Sequence, residues 1–330
     1  MLRIGLNPYG LSYTVLGWPG QGTPRANPRP WGLWPYLDLC AELNARVVEV
    51  PTTLLEALDG AGWERLRARL HELNAKVVLS QGSPVQGFER SFELAPKAGA
   101  AVVRMSLTSV LAGARAALGP RWERTLAEVR AALREAAPRA ADAGLALGLE
   151  NHQDLTSAEL MDLCAPFGPH VGVCLDTGNP LAVGEDPVEF ARAVGPRVRH
   201  VHLKDYRVQW TAEGYRLIRC ASGSGAIPFT EVIRELLRFQ DELTAVLEPG
   251  ALEVRHVRLL MPDWWNGYAP RTARDLAAGL AAARKGLLPE DADYRTPWEA
   301  GAGPEAIVAF ELEQMRESAR LLGNLGETAK

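Results

Sequence analysis

A closed (β/α)8 barrel is the fold this sequence predicts, with long loops after strands 1 and 8 and a C-terminal helical extension. Three observations point there. Eight short strand-like runs alternate with amphipathic helical stretches along residues 1–286, the pattern of parallel strands joined by crossover helices. The fifth and sixth runs have one large face and one small face. Leu145, Leu147 and Leu149 oppose Ala146, Gly148 and Glu150, and Val171, Val173 and Leu175 oppose Gly172, Cys174 and Asp176. Large apolar faces suit a helix layer, and small faces suit a crowded barrel interior. Finally, no GxGxxG follows the first run, which weakens an open, doubly wound dinucleotide-binding sheet.

In chain order, the first strand is expected at 2–7. A long connection at 8–33 follows, carrying Tyr9, Tyr13, Trp18 and Trp31 among many Gly and Pro. Helix and strand then alternate: helix 34–44, strand 46–50, helix 62–74, strand 76–80, helix 89–98 and strand 101–106. The series continues with helix 121–143, strand 145–150, helix 157–167, strand 171–176, helix 187–194 and strand 198–203. Helix 229–239, strand 244–248, a second long connection at 249–271 and helix 272–286 complete the eighth unit. Connections this long are more often functional or lid-like than accidental. Both would lie at the C-terminal face, where barrel enzymes keep their sites. Their rings either stack on a sugar and shield it from water or merely pack the loops down. Residues 287–330 lie outside the eight units. Helix 304–322 carries Val308, Leu312, Met315, Ala319 and Leu322 on one stripe, to pack on the barrel or on a second subunit of a homo-oligomer.

Composition narrows the function classes. A formal net charge of −4 gives no polybasic field, so nucleic acid is not an expected partner. Cys40, Cys164, Cys174 and Cys220 show no CxxC spacing and read as buried thiols. The chain opens on a strand pattern rather than a basic-then-apolar leader, and no run of about 18 apolar residues appears. A cytoplasmic location without membrane contact is therefore expected.

The chemistry collects at strand ends. In 198–205, His200, His202 and Lys204 share one face while Val201 and Leu203 share the other. Two imidazoles on one strand face suit a metal or proton-transfer site. Three further strands end in acids, at Glu150, Asp176 and Glu248. If these are strands five to eight of one barrel, they converge with His202 at its mouth. Three carboxylates facing one another repel, and a divalent cation removes that conflict. In the O3N set the carboxylate oxygens favour Mg2+ or Mn2+, while the imidazole also admits Mn2+, Co2+, Fe2+ or Zn2+.

The segments Gly148-Leu149-Glu150-Asn151-His152, Cys174-Leu175-Asp176-Thr177-Gly178-Asn179 and His200-Val201-His202-Leu203-Lys204-Asp205, with Leu247-Glu248-Pro249, resemble the xylose-isomerase-like TIM-barrel superfamily. That group includes sugar epimerases, hydroxypyruvate isomerase, inosose dehydratase and the apurinic endonucleases. The resemblance covers about residues 1–285. It implies a Mn2+-like site built from Glu150, Asp176, His202 and Glu248, with Glu150 and Glu248 doubling as the acid/base pair. The expected activity is isomerisation or epimerisation of a small sugar or polyol-derived keto substrate through an enediolate. Elimination from a keto-sugar or inosose is the alternative, and a non-catalytic sugar-binding barrel is the reading from another class.

Substrate contacts are expected from His152, His200, Lys204, Glu49, Arg104, His256, Arg258 and Trp264. His200 alternatively orients His202, Arg104 alternatively holds a buried carboxylate, and Lys204 alternatively pairs with Asp205. Asn179 stands where many relatives place a His, which argues against a second metal. The second and third strands end in Val50-Pro51 and Ser80-Gln81, and 217–220 lacks the Asp and His of the endonucleases. A three-metal phosphodiesterase is therefore not expected.

Overall fold

The structure is a computed structural model that describes residues 1–20, 22–250, 252–289 and 293–329. Eight parallel strands close a barrel: β1 (Leu2–Leu6), β2 (Val47–Pro51), β3 (Lys76–Gln81), β4 (Ala100–Met105), β5 (Ala146–Glu150), β6 (Val171–Asp176), β7 (Val198–Leu203) and, after two strands outside it, β10 (Leu243–Leu247). β10 returns beside β1, and β1 meets β2 through Leu6 and Val48. Closure there demands a glycine, because a Cβ on Gly5 would fall 1.6 Å from the Val47 carbonyl oxygen.

Helices α1 (Ser12–Leu16), α2 (Leu33–Glu42), α3 (Gly60–Leu73), α4 (Glu89–Ala98), α5 (Arg121–Asp142), α6 (Ser157–Cys164), α7 (Pro187–Val194), α8 (Phe229–Leu236) and α9 (Ala273–Arg284) follow in order. The termini carry ordinary signals. Thr156 and Glu159 form a capping box on α6, and Asp186 caps α7 with Pro187 in its first turn, satisfying free helix N–H groups.

Two apolar layers hold the barrel. Val48, Leu79, Val103, Leu147, Leu149, Val173, Leu175, Val201 and Leu247 face the helices as part of one large core. Inside, Val47, Val78, Val102 and Val246 form a separate cluster. These four sit one inward position below Glu49, Ser80, Arg104 and Glu248. The interior thus changes from a dry valine plug to a polar mouth within one step of each strand, as the period-two alternation requires.

The barrel also carries a feature the sequence reading did not anticipate. β8 (Tyr206–Thr211) and β9 (Gly214–Arg219) form an antiparallel hairpin after β7, and β11 (Arg255–Val257) adds to β9. Tyr206, Val208, Tyr215 and Leu217 bury one face, and Trp210 meets Tyr215 edge-on at 5.4 Å. The second long connection is therefore in part a strand of this sheet.

The C-terminal helix α10 (Pro304–Leu322) packs on α1 and on the turn before it, and the short α11 (Leu325–Thr328) follows. The buried stripe of α10 is Ile307, Glu311, Met315, Ser318 and Leu322. Of the expected stripe, Met315 and Leu322 are buried, while Val308, Leu312 and Ala319 are only half-buried, because the helix turns two polar groups inward to meet backbone N–H groups. At the expected boundary between 286 and 287 the chain is still tied to β8, with Leu288 N donating to Val208 O at 2.8 Å. All four cysteines are free and buried. Among the described residues, no helix is long and apolar enough to cross a membrane.

Candidate metal centre

Glu150 ends β5, Asp176 ends β6, His202 lies on β7, and Glu248 directly follows β10. Each offers one ligand atom, and all four atoms lie within 4.8 Å of one another. Ligands about 2.1 Å from a shared hard cation would span about 4.2 Å across it. His202 Nδ1 lies 2.7 Å from Glu248 Oε2 and 3.2 Å from Glu150 Oε1. His202 Nδ1 and Glu150 Oε1 are fully buried, meet only within these close carboxylate–imidazole contacts, and make no hydrogen bond of good geometry. Buried polar atoms are rarely left so, and two of them facing one space fit a shared cation. The donor set of three carboxylates and one imidazole fits a divalent ion.

Each ligand is held from behind. Glu49 Oε2 lies 2.8 Å from His202 Nε2 and 3.2 Å from His200 Nε2, and His200 Nδ1 lies 2.9 Å from Thr244 Oγ1. A carboxylate on one imidazole nitrogen fixes which nitrogen faces the metal. Burial opposes the ionisation of Glu49, but His202 and His200 outweigh it and hold that carboxyl well below its ordinary value. The Arg104 guanidinium pairs with Glu150 Oε2. Burial resists ionisation of Glu150 as well, and Arg104, with His152 and His202, overcomes it to bring the carboxyl to about 2. Asp176 Oδ1 accepts from Gly178 N and Asn179 N, leaving Oδ2 toward the mouth. The Lys204 ammonium lies 2.5 Å from Asp176 Oδ2 and 2.6 Å from Glu248 Oε1. Burial still wins at Asp176, raising its carboxyl to about 6.

His202 is the electrostatic hinge of the cluster. Burial disfavours its charge, but Cys174, Glu49 and Glu248 together push it well above 6.5. A dication taking Nδ1 must then replace a proton. Binding of Mn2+ at pH 7 is expected to release about one proton, with affinity falling about tenfold per pH unit below the His202 pKa. Calorimetry in buffers of differing ionisation enthalpy reads this directly, and proton-independent binding would contradict it.

The structure sorts the remaining expected residues. Glu49 and His200 are wholly buried beside His202, an arrangement that suits orienting that imidazole, which is the alternative expected for His200. Arg104 takes its alternative role on a buried carboxylate. Lys204 does not pair with Asp205, which instead accepts from the backbone N–H groups of Tyr206, Gly223, Gly225 and Ile227. Trp264 is 2% exposed, stacks on Tyr268 at 4.7 Å and donates to Ala112 O. It packs its loop down, which corrects the expected substrate contact. His256 and Arg258 are bound to Thr211, Glu213 and Asp263 beside the hairpin, and the structure does not bring them to the quartet. His152 is half-buried with an enclosed, unpartnered Nδ1, and burial lowers it to about 4. Truncating His152 to Ala is expected to leave Mn2+ affinity within about threefold of wild type, because it holds none of the four ligands. A larger loss in a titration would make it a ligand.

Asn7 was not anticipated. Its amide donates to Glu248 Oε2 at 2.7 Å, while its Oδ1 caps the turn that follows β1 by accepting from Tyr9 N. The signal was present: a polar residue follows β1 just as Glu248 follows β10.

A family model described as the xylose isomerase-like TIM barrel matches residues 37–257, about two thirds of the chain. The chain belongs to this family. Among curated proteins, 3-oxo-isoapionate decarboxylase of Pectobacterium atrosepticum is 26% identical over 282 residues, covering 83% of this chain and 90% of that protein. A solved D-tagatose 3-epimerase-like protein superposes with a TM-score of 0.56 at 16% identity, over 86% of this chain and 98% of its own. A xylose isomerase-like TIM barrel protein from Mycobacterium smegmatis, solved in complex with magnesium, gives 0.55 at 18% identity, over 85% and 97%. At such identities these superpositions speak for the fold.

Proposed function

We propose that the protein is a divalent-metal-dependent enzyme of the isomerase or epimerase type, acting on a small keto-sugar or keto-polyol through an enediolate. The observation that carries this is the convergence of Glu150, Asp176, His202 and Glu248, whose ligand atoms lie buried within 4.8 Å of one another, with Glu150 Oε1 and His202 Nδ1 making no well-formed hydrogen bond. A dication held there supplies Lewis-acid polarisation of a carbonyl, which acidifies the neighbouring C–H. Glu150 and Glu248 are the ligands that double as the acid/base pair, each giving one oxygen to the ion and the other to proton transfer. Arg104 and Lys204 now hold those other oxygens, so each cation must yield when its carboxylate takes a proton. Mn2+ is the favoured ion.

One observation favours a second reading. With both outer oxygens held by cations, a cleavage that needs no carbon base also fits, and the 26% identical relative is a decarboxylase. The substrate would then be a sugar-derived 3-oxo acid.

A single experiment separates the readings. Ketoses and 3-oxo acids are incubated with the Mn2+-loaded protein in D2O and followed by NMR. Loss of a C–H signal beside the carbonyl is expected for proton transfer. Release of labelled carboxyl as bicarbonate would move the assignment to decarboxylation, and loss of water to elimination. Binding without any of these would make the protein a sugar-binding barrel and overturn the catalytic reading.

A further inference from the structure

The C-terminal helix α10 lies outside the eight β/α units, yet its buried face is not purely apolar. Glu311 is fully buried in the middle of that face. Its carboxylate accepts from Tyr13 N at 3.1 Å and from Thr14 N at 2.8 Å. These are among the first N–H groups of α1, which have no partner within their own helix. α1 is continuous with the turn Pro8–Leu11, and the residue capping that turn is Asn7. Asn7 in turn donates to Glu248 Oε2. One short rigid segment therefore has the C-terminal helix at one end and a proposed metal ligand at the other.

Two further contacts run the same way. A Cβ on Gly10 would lie 3.0 Å from each of Met315 Cε, Glu248 Cα and Pro249 Cδ. The turn is thus pressed between α10 and the backbone of Glu248, and a side chain at this position would crowd both. Further along α10, Ser318 Oγ accepts from Ser222 N at 2.8 Å, and Ser222 Oγ donates to Leu203 O at 2.6 Å. The same Leu203 oxygen accepts Glu248 N at 3.2 Å. α10 therefore reaches Glu248 by two separate routes, one through α1 and Asn7 and one through the end of β7.

We infer that Glu311 is a positioning residue of the metal centre: through α1 and Asn7 it fixes Glu248, so that the C-terminal extension is part of the site's support. This rests on the metal reading given above. A carboxylate is suited to the task because it presents two acceptors to two adjacent N–H groups. Glutamine supplies one acceptor and turns an N–H2 toward the other donor, leaving a buried N–H unpaired.

The test compares full-length Glu311→Gln with Arg316→Ala. Arg316 is also on α10, but it pairs with Glu42 on the exposed side, so its loss loosens α10 without touching the turn. Mn2+ affinity is measured by calorimetry, and amide exchange over residues 7–16 by mass spectrometry on metal-free protein. Loss of a supporting contact typically weakens metal binding about 10–100-fold. Glu311→Gln is expected to weaken Mn2+ by more than about threefold and to speed exchange over 7–16, with Arg316→Ala doing neither. If Glu311→Gln does not fold, Glu311→Asp, which keeps both carboxyl oxygens and shortens the reach, is read on the same scale. Wild-type binding with a smaller change in the Glu311 variant, unchanged exchange over 7–16, or an equal effect from Arg316→Ala overturns the inference. Absence of Mn2+ binding in wild type overturns the metal reading itself, and this inference with it.

Discussion

Glu150→Gln is expected to abolish turnover, by roughly three orders of magnitude or more, and to weaken Mn2+ binding while the barrel still closes. Each oxygen of Glu150 has separate work. Oε2 balances Arg104, and Oε1 faces His202 Nδ1 at 3.2 Å across the candidate cation position. An amide keeps the shape and removes the charge. The Arg104 guanidinium is then buried without its counter-ion, and breaking such a pair from one side costs about 3–5 kcal/mol. Glu150→Gln is therefore expected to lower the melting temperature as well. An Arg104→Met, Glu150→Gln double variant should recover part of that stability and none of the activity. Melting curves, calorimetry with Mn2+ and the D2O assay measure the three effects. Near-wild-type turnover in Glu150→Gln would remove Glu150 from the chemistry.

The fold and the convergence of the four candidate ligands were legible for the same reason. A barrel strand must alternate, so Leu147 and Leu149 report the helix layer while Gly148 and Glu150 report the interior. An acid at the last inward position of β5 or β6 can only point into the mouth. Strand-end logic thus located Glu150, Asp176, His202 and Glu248 without any knowledge of distances. The same logic reaches Asn7, the last residue of the expected first strand, although an uncharged amide does not mark a site as an acid does. Partners across the barrel were less legible. Glu49 and His202 are 153 positions apart in sequence, and nothing local in β2 says that its carboxylate lies behind an imidazole rather than toward a ligand. Lys204 sits beside Asp205 in sequence, but consecutive strand residues face opposite ways. Asp205 therefore turned to the 223–227 backbone and Lys204 turned inward. The β8–β9 hairpin has a clear period-two pattern at Tyr206, Val208 and Trp210. It was hidden because eight strands already completed a barrel, and a ninth and tenth had no place in that count.

Lys204→Met is expected to destabilise the metal-free protein and to make its stability depend on Mn2+ more steeply than wild type. The ammonium is 2% exposed and touches two carboxylates of the quartet. Without it, Asp176, Glu150 and Glu248 face one another with too little positive charge between them, and removing one side of a buried pair costs about 3–5 kcal/mol. Asp176 Oδ1 is committed to Gly178 N and Asn179 N, so an entering cation must share Oδ2 with Lys204 or displace it. Replacing the ammonium by a methyl thioether removes that competitor. Mn2+ should therefore bind Lys204→Met more tightly, and at 100 times its Kd should return about 2.7 kcal/mol. The pH dependence follows from Asp176, whose carboxyl burial raises to about 6 despite Lys204. Its folded value lies above the unfolded 3.8, so the folded state binds the extra proton and stability falls as pH rises through that window. Losing Lys204 moves the folded value higher still. The deficit of metal-free Lys204→Met should accordingly be small near pH 5 and large near pH 8. Melting curves at the two pH values, with and without Mn2+, decide the matter. A variant that melts like wild type at pH 8, or that binds Mn2+ more weakly, would show that Lys204 positions the carboxylates rather than occupying the cation's place between them.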